Sequence, residues 1–271
     1  MPIQICFTCG TSYPDAAEPP SRCLICEDER QFVPRAGQAW TTPASLASGH
    51  VNAWRRLETD LFEIHTQPQF AIGQRALLLR TPQGNILWDC IALLDDATRE
   101  LVRGLGGLRA IAISHPHYYT CMQDWGRSFD CPVHLHAADA DWIMRPDSTI
   151  RHWDGETLKI AEGVTLLRLG SHFPGGTVLH WAEGADGRGA VLSGDILQVA
   201  GDLSRVSFLW SYPNMMPLAA GTVRRIAETL APWRFERIYG AFPGRQVMAD
   251  GARAAQRSAA RYIELLEGSQ S

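Results

Sequence analysis

The chain has 271 residues, of which 45% are hydrophobic, and a formal net charge of −4. This length supports one large hydrophobic core, or one core with a small appended module. The 25 basic and 29 acidic residues are spread along the chain, which excludes a basic groove for nucleic acid and an acidic disordered tail.

The hydropathy pattern gives an expectation about location. The segment 1–6 has no positively charged region followed by an apolar core, so we expect no signal peptide. No apolar run approaches the roughly 18–20 residues that span a bilayer, so no membrane partner is expected. We therefore expect a cytoplasmic protein, whose seven cysteines are metal ligands or buried thiols rather than disulfides.

Two Cys-x-x-Cys pairs lie near the start of the chain: Cys6 with Cys9, and Cys23 with Cys26, separated by thirteen residues. Four thiolates form a closed tetrahedral site that is typical of structural zinc. The segment between the pairs is rich in proline and poor in apolar residues, so it needs a metal to hold it. We predict a zinc ribbon with four cysteine ligands over residues 1–34. The spacing also resembles rubredoxin, where iron would carry electrons; unligated cysteines or disulfides are the remaining alternative.

The rest of the chain divides into a connector and a large domain. Residues 35–54 are rich in Gly, Pro, Ser, Thr and Ala, and they predict a connector. Residues 55–271 contain strands with helices between and after them, which indicates a layered α/β domain. The predicted strands are 61–65, 76–80, 86–90, 110–113, 132–136, 164–169, 177–181 and 190–193. The predicted helices are 95–105, 137–144, 222–230 and 252–266.

Two histidines one residue apart follow the strand 110–113. Because residues i and i+2 of a strand share a face, His115 and His117 can be aimed at one point. Imidazole is the commonest protein ligand for zinc, copper and iron. The sequence therefore predicts half of a metal site here.

Four motifs of the main domain follow one another in the order found in the metallo-β-lactamase superfamily. They are Leu87-Trp88-Asp89, His115-Pro116-His117, Gly170-Ser171-His172-Phe173-Pro174-Gly175 and Ser193-Gly194-Asp195. The resemblance implies a four-layer αββα sandwich, with metal bound at one edge between the sheets. It implies that His115, His117 and His172 bind a metal, that Asp195 matches the metal-bridging aspartate, and that Asp89 organises the site.

The resemblance covers roughly residues 57–262, and the chain departs from it at one metal site. The family's second metal takes an aspartate and a histidine after the first pair, and a last histidine. Those positions hold Tyr119, Thr120 and Phe242. Because all three losses fall on the same site, we expect one metal, with Asp195 serving it alone. Three imidazoles and a carboxylate suit zinc, and also iron or manganese.

The expected chemistry follows from this reduced site. A three-histidine zinc lowers the pKa of its water toward about 7. Asp195 would be a further ligand, or a general base that holds the attacking water. A hydroxyl of Tyr118 or Tyr119 would donate to a developing oxyanion in place of the second metal.

Other chemically notable residues have ordinary explanations. His134 and His136 repeat the spacing of the first pair, in a part of the pattern that binds no metal, and are expected to be structural. The aromatic and methionine-rich segment Val206–Pro217 follows Asp195 and predicts a pocket wall, or else core or a dimer contact. Three further cysteines are expected to be buried small apolar residues, namely Cys90, Cys121 and Cys131.

These observations lead to three functional hypotheses. The first is a metal-dependent hydrolase with one retained metal, acting on an ester, thioester, lactone or amide of a small molecule, with a homodimer as its candidate assembly. The second is a binding or regulatory module that kept the fold and lost turnover. The third is a single-iron oxygenase or electron-transfer protein. The identity and number of metals per chain would separate the three.

Overall fold

A computed structural model describes residues 2–268 of the chain. This part divides into two compact units, with the boundary between Trp153 and Asp154. Each unit contains both helices and strands, as the predicted α/β class requires. None of the helices in the described range combines the length and hydropathy needed to cross a bilayer.

The first unit begins with a small three-stranded sheet. Its strands are β1 (Ile3–Cys6), β2 (Ser12–Asp15) and β3 (Trp40–Thr41). β1 is central and pairs antiparallel with both neighbours. The short helix α1 (Leu24–Glu27) contains the last cysteine of the second pair. The first cysteine of the first pair ends the central strand of this sheet.

The segment predicted as a connector, 35–54, is in fact partly regular. It contains β3, the helix α2 (Pro43–Gly49) and the start of β4 (Val51–Glu58). Thr42 Oγ1 accepts a hydrogen bond from the backbone N–H of Ser45 at 3.3 Å, which caps the helix. Proline at the first helical position costs no hydrogen bond. The sequence analysis did not predict this helix, because the linker-like composition hid the Thr-Pro start signal; the assignment of 35–54 as a connector stays a prediction.

A seven-stranded sheet forms the body of the first unit. Its remaining strands are β5 (Leu61–Gln67), β6 (Arg75–Leu79), β7 (Ile86–Trp88), β8 (Ala110–Ala112), β9 (Val133–His136) and β10 (Ile150–Trp153). The spatial order is β10-β9-β8-β7-β6-β5-β4. Pairing is antiparallel from β4 to β7 and parallel from β7 to β10. Because parallel strands end at one edge, the loops that follow β7 and β8 emerge side by side.

The helices of this unit agree only in part with the sequence prediction. α3 (Asp96–Gly104) is confirmed, with Asp95 capping it by accepting from the N–H of Thr98 at 2.7 Å. α4 (Met122–Phe129) follows the histidine loop. The helix expected over 137–144 is a kinked 3₁₀ segment, Ala137–Trp142. Its two aspartates favour local hydrogen bonds over a regular helix, which explains the difference.

The second unit is built on a six-stranded sheet of order β11-β12-β13-β14-β19-β20. The strands of the unit are β11 (Thr157–Ala161), β12 (Val164–Arg168), β13 (Thr177–Trp181), β14 (Ala190–Gly194), β15 (Gln198–Val199), β16 (Val206–Ser207), β17 (Leu209–Ser211), β18 (Met216–Pro217), β19 (Arg237–Gly240) and β20 (Gln246–Val247). Its helices are α5 (Gly184–Gly187), α6 (Ala220–Leu230) and α7 (Gly251–Leu266). The strand β14 is parallel to β19 and antiparallel to β13. The loops after β14 and before β13 therefore lie at the same edge of the sheet.

The core of the second unit joins this sheet to α6 and α7. On α6 the buried residues Val223, Ile226 and Leu230 recur at helical spacing and form one apolar face. On α7 the buried face is formed by small residues, Ala254 and Ala255 among them, which allow close approach. Burying each of the larger side chains contributes about 1.5–3 kcal/mol, so this layer fixes the sheet edge that carries the loops.

An ion pair is fully buried within the seven-stranded sheet. Arg75 Nη1 on β6 lies 2.5 Å from Glu63 Oε2 on β5, and the two side chains are 0% and 2% exposed. Removal of one partner from a buried pair leaves an uncompensated charge in a medium of low polarity.

We predict that Arg75→Met lowers the free energy of unfolding by about 3–5 kcal/mol. The control is Arg80→Met, which removes the exposed pair between Arg80 and Asp60 at 3.6 Å and should cost less than about 1 kcal/mol. Urea denaturation followed by circular dichroism measures both. Equal losses in the two variants would contradict this account of the sheet.

Candidate metal centre

Two groups of side chains within residues 2–268 are arranged so that each could hold one metal ion. All of these residues are buried, and within each group the ligand atoms lie within 4.8 Å of one another. The first, the four-cysteine group, is formed by Cys6, Cys9, Cys23 and Cys26. The second, the His/Asp group, is formed by His115, His117, His172 and Asp195.

The four-cysteine group has the dimensions of a tetrahedral sulfur site. The Sγ atoms of Cys6 and Cys26 are 3.6 Å apart, as are those of Cys9 and Cys23. A zinc–sulfur bond of about 2.3 Å gives tetrahedral edges of about 3.8 Å. Gln38 Nε2 donates to Cys6 Sγ at 3.1 Å, as expected for a sulfur that carries negative charge. The donor set therefore fits zinc or iron.

The four cysteines differ in pKa, and a bound cation would displace the protons that remain on them. Hydrogen bonds from Cys23, Cys26 and Cys9 lower the pKa of Cys6. Burial raises the pKa of the Cys9 thiol, which holds its proton. Binding of a divalent cation would release such protons, so metal affinity at this group should fall with decreasing pH.

The histidine pair lies in a turn rather than on the strand itself. β8 ends at Ala112, and a 3₁₀ turn, Pro116–Tyr118, begins after the extended His115. The ring centroids of His115 and His117 are 5.0 Å apart, and that of Tyr118 lies 4.6 Å from His115. Strand alternation, the reason given by the sequence, does not bring the two rings together; the turn does.

Asp89 supports this turn from the end of the neighbouring strand. Its Oδ1 accepts a hydrogen bond from the N–H of Ser114 at 2.7 Å. Ser114 Oγ lies 3.0 Å from His115 Nδ1, a contact that orients the ring through one nitrogen and leaves metal binding to the other. Asp89 itself has a left-handed backbone (φ 58°), a conformation that aspartate tolerates better than most residues. This geometry suits the organising role expected of Asp89.

His117 is held in the neutral form that binds metals. Burial, and to a lesser degree the positive charge of Arg30, lowers the pKa of His117 to about 3. Arg30 is itself fixed: its Nη2 donates to Asp28 Oδ2 at 2.8 Å, and its guanidinium carbon lies 4.9 Å from the centroid of the Trp142 ring. A neutral imidazole presents a lone pair to a cation without first losing a proton.

Within the second unit, two candidate ligands lie in loops at one sheet edge. His172 precedes β13 and Asp195 follows β14, and His172 Nε2 lies 3.7 Å from Asp195 Oδ1. Ser171 Oγ lies 3.4 Å from His172 Nδ1, so this histidine, like His115, follows a serine that contacts its Nδ1. Tyr212 contacts both ligands: its hydroxyl donates to the carbonyl oxygen of Asp195 at 2.7 Å, and its ring centroid lies 6.0 Å from that of His172.

The donor set of the His/Asp group fits one first-row metal ion. Three imidazoles and a carboxylate suit zinc, iron or manganese. Two ligand atoms on one such ion, at about 2.0–2.2 Å from it, are separated by at most about 4.4 Å, so small side-chain movements suffice to enclose it.

The positions that the resemblance assigns to a second metal offer no usual zinc ligand. Tyr119 is buried, and burial, with a contribution from Asp139, raises its pKa well above the ordinary value. Phe242 lies in the turn after β19, where its carbonyl accepts from the N–H of Arg245 at 3.0 Å. Thr120 is buried beside the histidine turn. None of the three belongs to a metal-binding group among residues 2–268.

The remaining singled-out residues lie outside the two groups. His134 is half-buried on β9, and His136 Nδ1 accepts from the N–H of Ala138 at 3.2 Å. Burial raises the pKa of Cys121 and that of Cys131 to about 12, and that of Cys90 well above its usual value. These three cysteines therefore remain thiols near neutral pH, as their interpretation as apolar residues requires.

The segment Val206–Pro217 divides between core and surface. Phe208 is buried in the core of the second unit, whereas Met215, at the tip of the β17–β18 hairpin, is 81% exposed. Sequence reasoning singled out this segment but missed the contact of Tyr212 with the ligands. It also missed Ser114 and Ser171; the two Ser-His dipeptides were the available signal.

The chain is similar in sequence to one bacterial protein and similar in structure to several solved proteins. No model of a known protein family matches it. It is 46% identical over 268 residues to the uncharacterized protein YmaE of Bacillus subtilis (strain 168), over 98% of this chain and 97% of that protein. It is similar in structure to the DIM-1 metallo-β-lactamase, with 12% identity, a TM-score of 0.59, and coverage of 81% of this chain and 98% of the other. It is also similar to the mono-zinc form of the metallo-β-lactamase FIM-1 from Pseudomonas aeruginosa, with 14% identity, a TM-score of 0.57, and coverage of 78% and 96%.

The fold is thus that of the metallo-β-lactamases, which confirms the predicted fold class and, at the level of the fold, the resemblance to that superfamily. Within that fold class, the chain belongs to the same family as YmaE.

We predict that Tyr212→Phe lowers the zinc affinity of the His/Asp group about 10-fold, because it removes the hydroxyl that holds the Asp195 carbonyl while keeping the ring beside His172. Competition with a chromophoric chelator measures the affinity of each group. The control is Tyr262→Phe, which removes a similar bond from a tyrosine hydroxyl to the carbonyl of Phe208. An equal loss in the control would show that Tyr212 has no special relation to the metal.

Proposed function

We propose that this protein is a metal-dependent hydrolase that uses one metal ion to cleave an ester, thioester, lactone or amide bond in a small molecule. The observation that carries the proposal is the His/Asp group, in which all four ligand atoms lie within 4.8 Å of one another. The mono-zinc form of FIM-1 supports the proposal, because one zinc is accommodated by the same fold in that protein. The seven free cysteines support a cytoplasmic, reducing location.

Two of the histidines, His115 and His172, would bind the ion through Nε2, because a serine contacts the Nδ1 of each. Ser114 and Ser171 contact the Nδ1 atoms of His115 and His172, respectively, which directs each Nε2 toward the site. A divalent ion bound there supplies Lewis acidity, which polarises a carbonyl group and generates hydroxide near neutral pH. His117 is neutral near neutral pH, because burial lowers its pKa to about 3, and its imidazole can bind a cation without first losing a proton.

Asp195 has the two roles that its position allows. As a ligand it would bind through one carboxylate oxygen. Its other oxygen would then accept a hydrogen bond from the attacking water and orient it toward the substrate carbonyl. The Tyr212 hydroxyl, on the carbonyl oxygen of Asp195, holds the backbone from which this carboxylate extends.

The two tyrosines after the histidine pair would replace part of what a second metal supplies. Burial raises the pKa of Tyr119, so this residue stays protonated near neutral pH and its hydroxyl can donate a hydrogen bond. Tyr118 is buried, and its ring lies against that of one candidate ligand, His115. A phenol that donates to the developing oxyanion stabilises the transition state, although less than a second cation would.

We predict that His115→Ala removes one metal per chain and abolishes hydrolysis, because the other three ligands do not close the site. Metal content is measured by mass spectrometry on protein purified without added metal, and hydrolysis with a panel of p-nitrophenyl esters, thioesters, lactones and amides. The control is His152→Ala, which alters an exposed histidine outside both groups. Undiminished hydrolysis in His115→Ala would exclude the proposed mechanism.

The same measurement separates the two other hypotheses. Iron in the His/Asp group would favour a single-iron oxygenase or electron-transfer protein. A chain with metal only in the four-cysteine group would favour a binding or regulatory module. Zinc in both groups, with turnover that His172→Ala abolishes, is the result that the hydrolase proposal requires.

A further inference from the structure

A buried contact joins the four-cysteine group to the loop that carries the histidine pair. Ser12, the first residue of β2, directs two donors at the carbonyl oxygen of Thr120. Its backbone N–H lies 3.0 Å from that oxygen, and its Oγ lies 2.7 Å from it. Each of the two residues is only 1% exposed. A carbonyl that accepts two hydrogen bonds away from water is held firmly in place.

Thr120 needs such support because of its backbone conformation. Its φ is 37°, in the left-handed region that is costly for a β-branched residue. It directly follows the turn that contains His117, in which the N–H of Tyr119 donates to the carbonyl of Pro116 at 3.2 Å. The two donors of Ser12 therefore fix the end of the turn, three residues after His117.

Gly10, which directly follows the first cysteine pair, lies against the same residue. The N–H of Cys6 donates to the carbonyl of Thr11 at 3.0 Å, and the N–H of Gly10 donates to the carbonyl of Cys6 at 2.9 Å. A Cβ at Gly10 would lie 3.4 Å from Thr120 Cγ2 and 3.2 Å from Ala71 Cβ, and its φ of 80° also favours glycine. The backbone path that leads from the first cysteine to β2 is thus closely fitted to Thr120.

The shape of that path depends on the four sulfurs. The buried cluster around them consists of the four cysteines, Tyr13 and Ile25, and the partly buried Trp40, Trp142 and Met144 pack against it. Four of its six buried members are the candidate ligands themselves, so an ion bound by them would fix the turn between Cys6 and Cys9 more tightly than this packing alone. A metal that fixed this turn would also fix the position of Ser12. The hydrogen bonds from Ser12 to Thr120 would then restrict the histidine turn.

We propose that metal bound by the four-cysteine group sets the metal affinity of the His/Asp group, with Ser12 as the positioning residue between them. This inference rests on the proposed metal-binding function of the His/Asp group. The N-terminal module is then a control element for the second metal and not an independent appendage. Withdrawal of its metal weakens metal binding at the histidines.

The test is a titration of the metal-free, full-length chain with Co²⁺ in competition with a chelator. Cobalt bound by four thiolates gives intense sulfur-to-metal bands in the near ultraviolet, and cobalt bound by imidazole and carboxylate gives only weak visible bands. The near-ultraviolet bands therefore report cobalt at the four-cysteine group, and the total cobalt bound in the competition, less that amount, gives cobalt at the His/Asp group. In Ser12→Ala, we expect unchanged affinity at the four-cysteine group and a loss of about 10- to 100-fold at the His/Asp group.

The matched control is Thr81→Ala. It removes a hydrogen bond of the same kind, from Thr81 Oγ1 to the carbonyl of Gly84 at 2.7 Å, in the turn between β6 and β7, which contains no ligand. This variant should bind Co²⁺ at both groups as the unchanged chain does. Wild-type affinity at the His/Asp group in Ser12→Ala, or an equal loss in Thr81→Ala, would overturn the proposal.

A second variant tests the same dependence from the metal side. Cys23→Ser should lose cobalt at the four-cysteine group and, with it, most of the affinity at the His/Asp group, while circular dichroism and cooperative unfolding report whether the fold persists. If the variant is unfolded, Ser12→Ala alone decides. Wild-type affinity at the His/Asp group in a folded Cys23→Ser chain would overturn the proposal. Absence of hydrolysis in the chain with both metals bound would refute the proposed function and leave this coupling standing.

Discussion

Burial of charged ligand groups is the constraint on which the rest of this structure depends. An ionised thiolate or carboxylate taken out of water costs several kcal/mol unless an opposite charge lies close to it. The four-cysteine group and the carboxylate of Asp195 are both buried. A cation bound at each group would offset this cost. The ligands can therefore be carried by loops as well as by regular elements, as His115, His172 and Asp195 are.

The sheets place the loops, and hydrogen bonds then place the ligands. In the first unit the parallel strands β7 and β8 bring Asp89 beside the histidine turn. In the second unit the directions of β13 and β14 bring the loops of His172 and Asp195 to one edge. Serine and tyrosine hydroxyls complete the arrangement by contact with ring nitrogens and with the Asp195 carbonyl. Packing of α6 and α7 keeps the second edge in position without contributing a ligand.

The sequence predicted the elements that are determined by residues close to one another in the chain. The two cysteine pairs, the hairpin of β6 and β7 and the capped helix α3 follow from spacing, turn residues and a cap within a few positions. The ligand types at His115, His117, His172 and Asp195 were visible as motifs, and the structure brings them into one group. Their chemical roles stay predictions.

What the sequence did not predict depends on residues distant in the chain. Ser12 contacts Thr120, and Tyr212 contacts Asp195, across separations that no periodicity or spacing encodes. The helix α2 was missed because its Thr-Pro start lies in a segment whose composition is typical of a linker. The histidine turn was misjudged because Pro116 favours a 3₁₀ turn over continuation of the strand. In each of these cases the deciding interaction is specific to a few atoms.

The central claim is that the chain binds one metal at the four-cysteine group and one at the His/Asp group, and none where Tyr119 and Phe242 replace ligands. Crystals of the protein purified without added metal, measured by anomalous X-ray diffraction at the zinc and iron absorption edges, test it most directly. The account predicts two anomalous peaks per chain, one enclosed by the four sulfurs and one by the three imidazoles and Asp195. A third peak beside Tyr119, or no peak within bonding distance of His115, would contradict it.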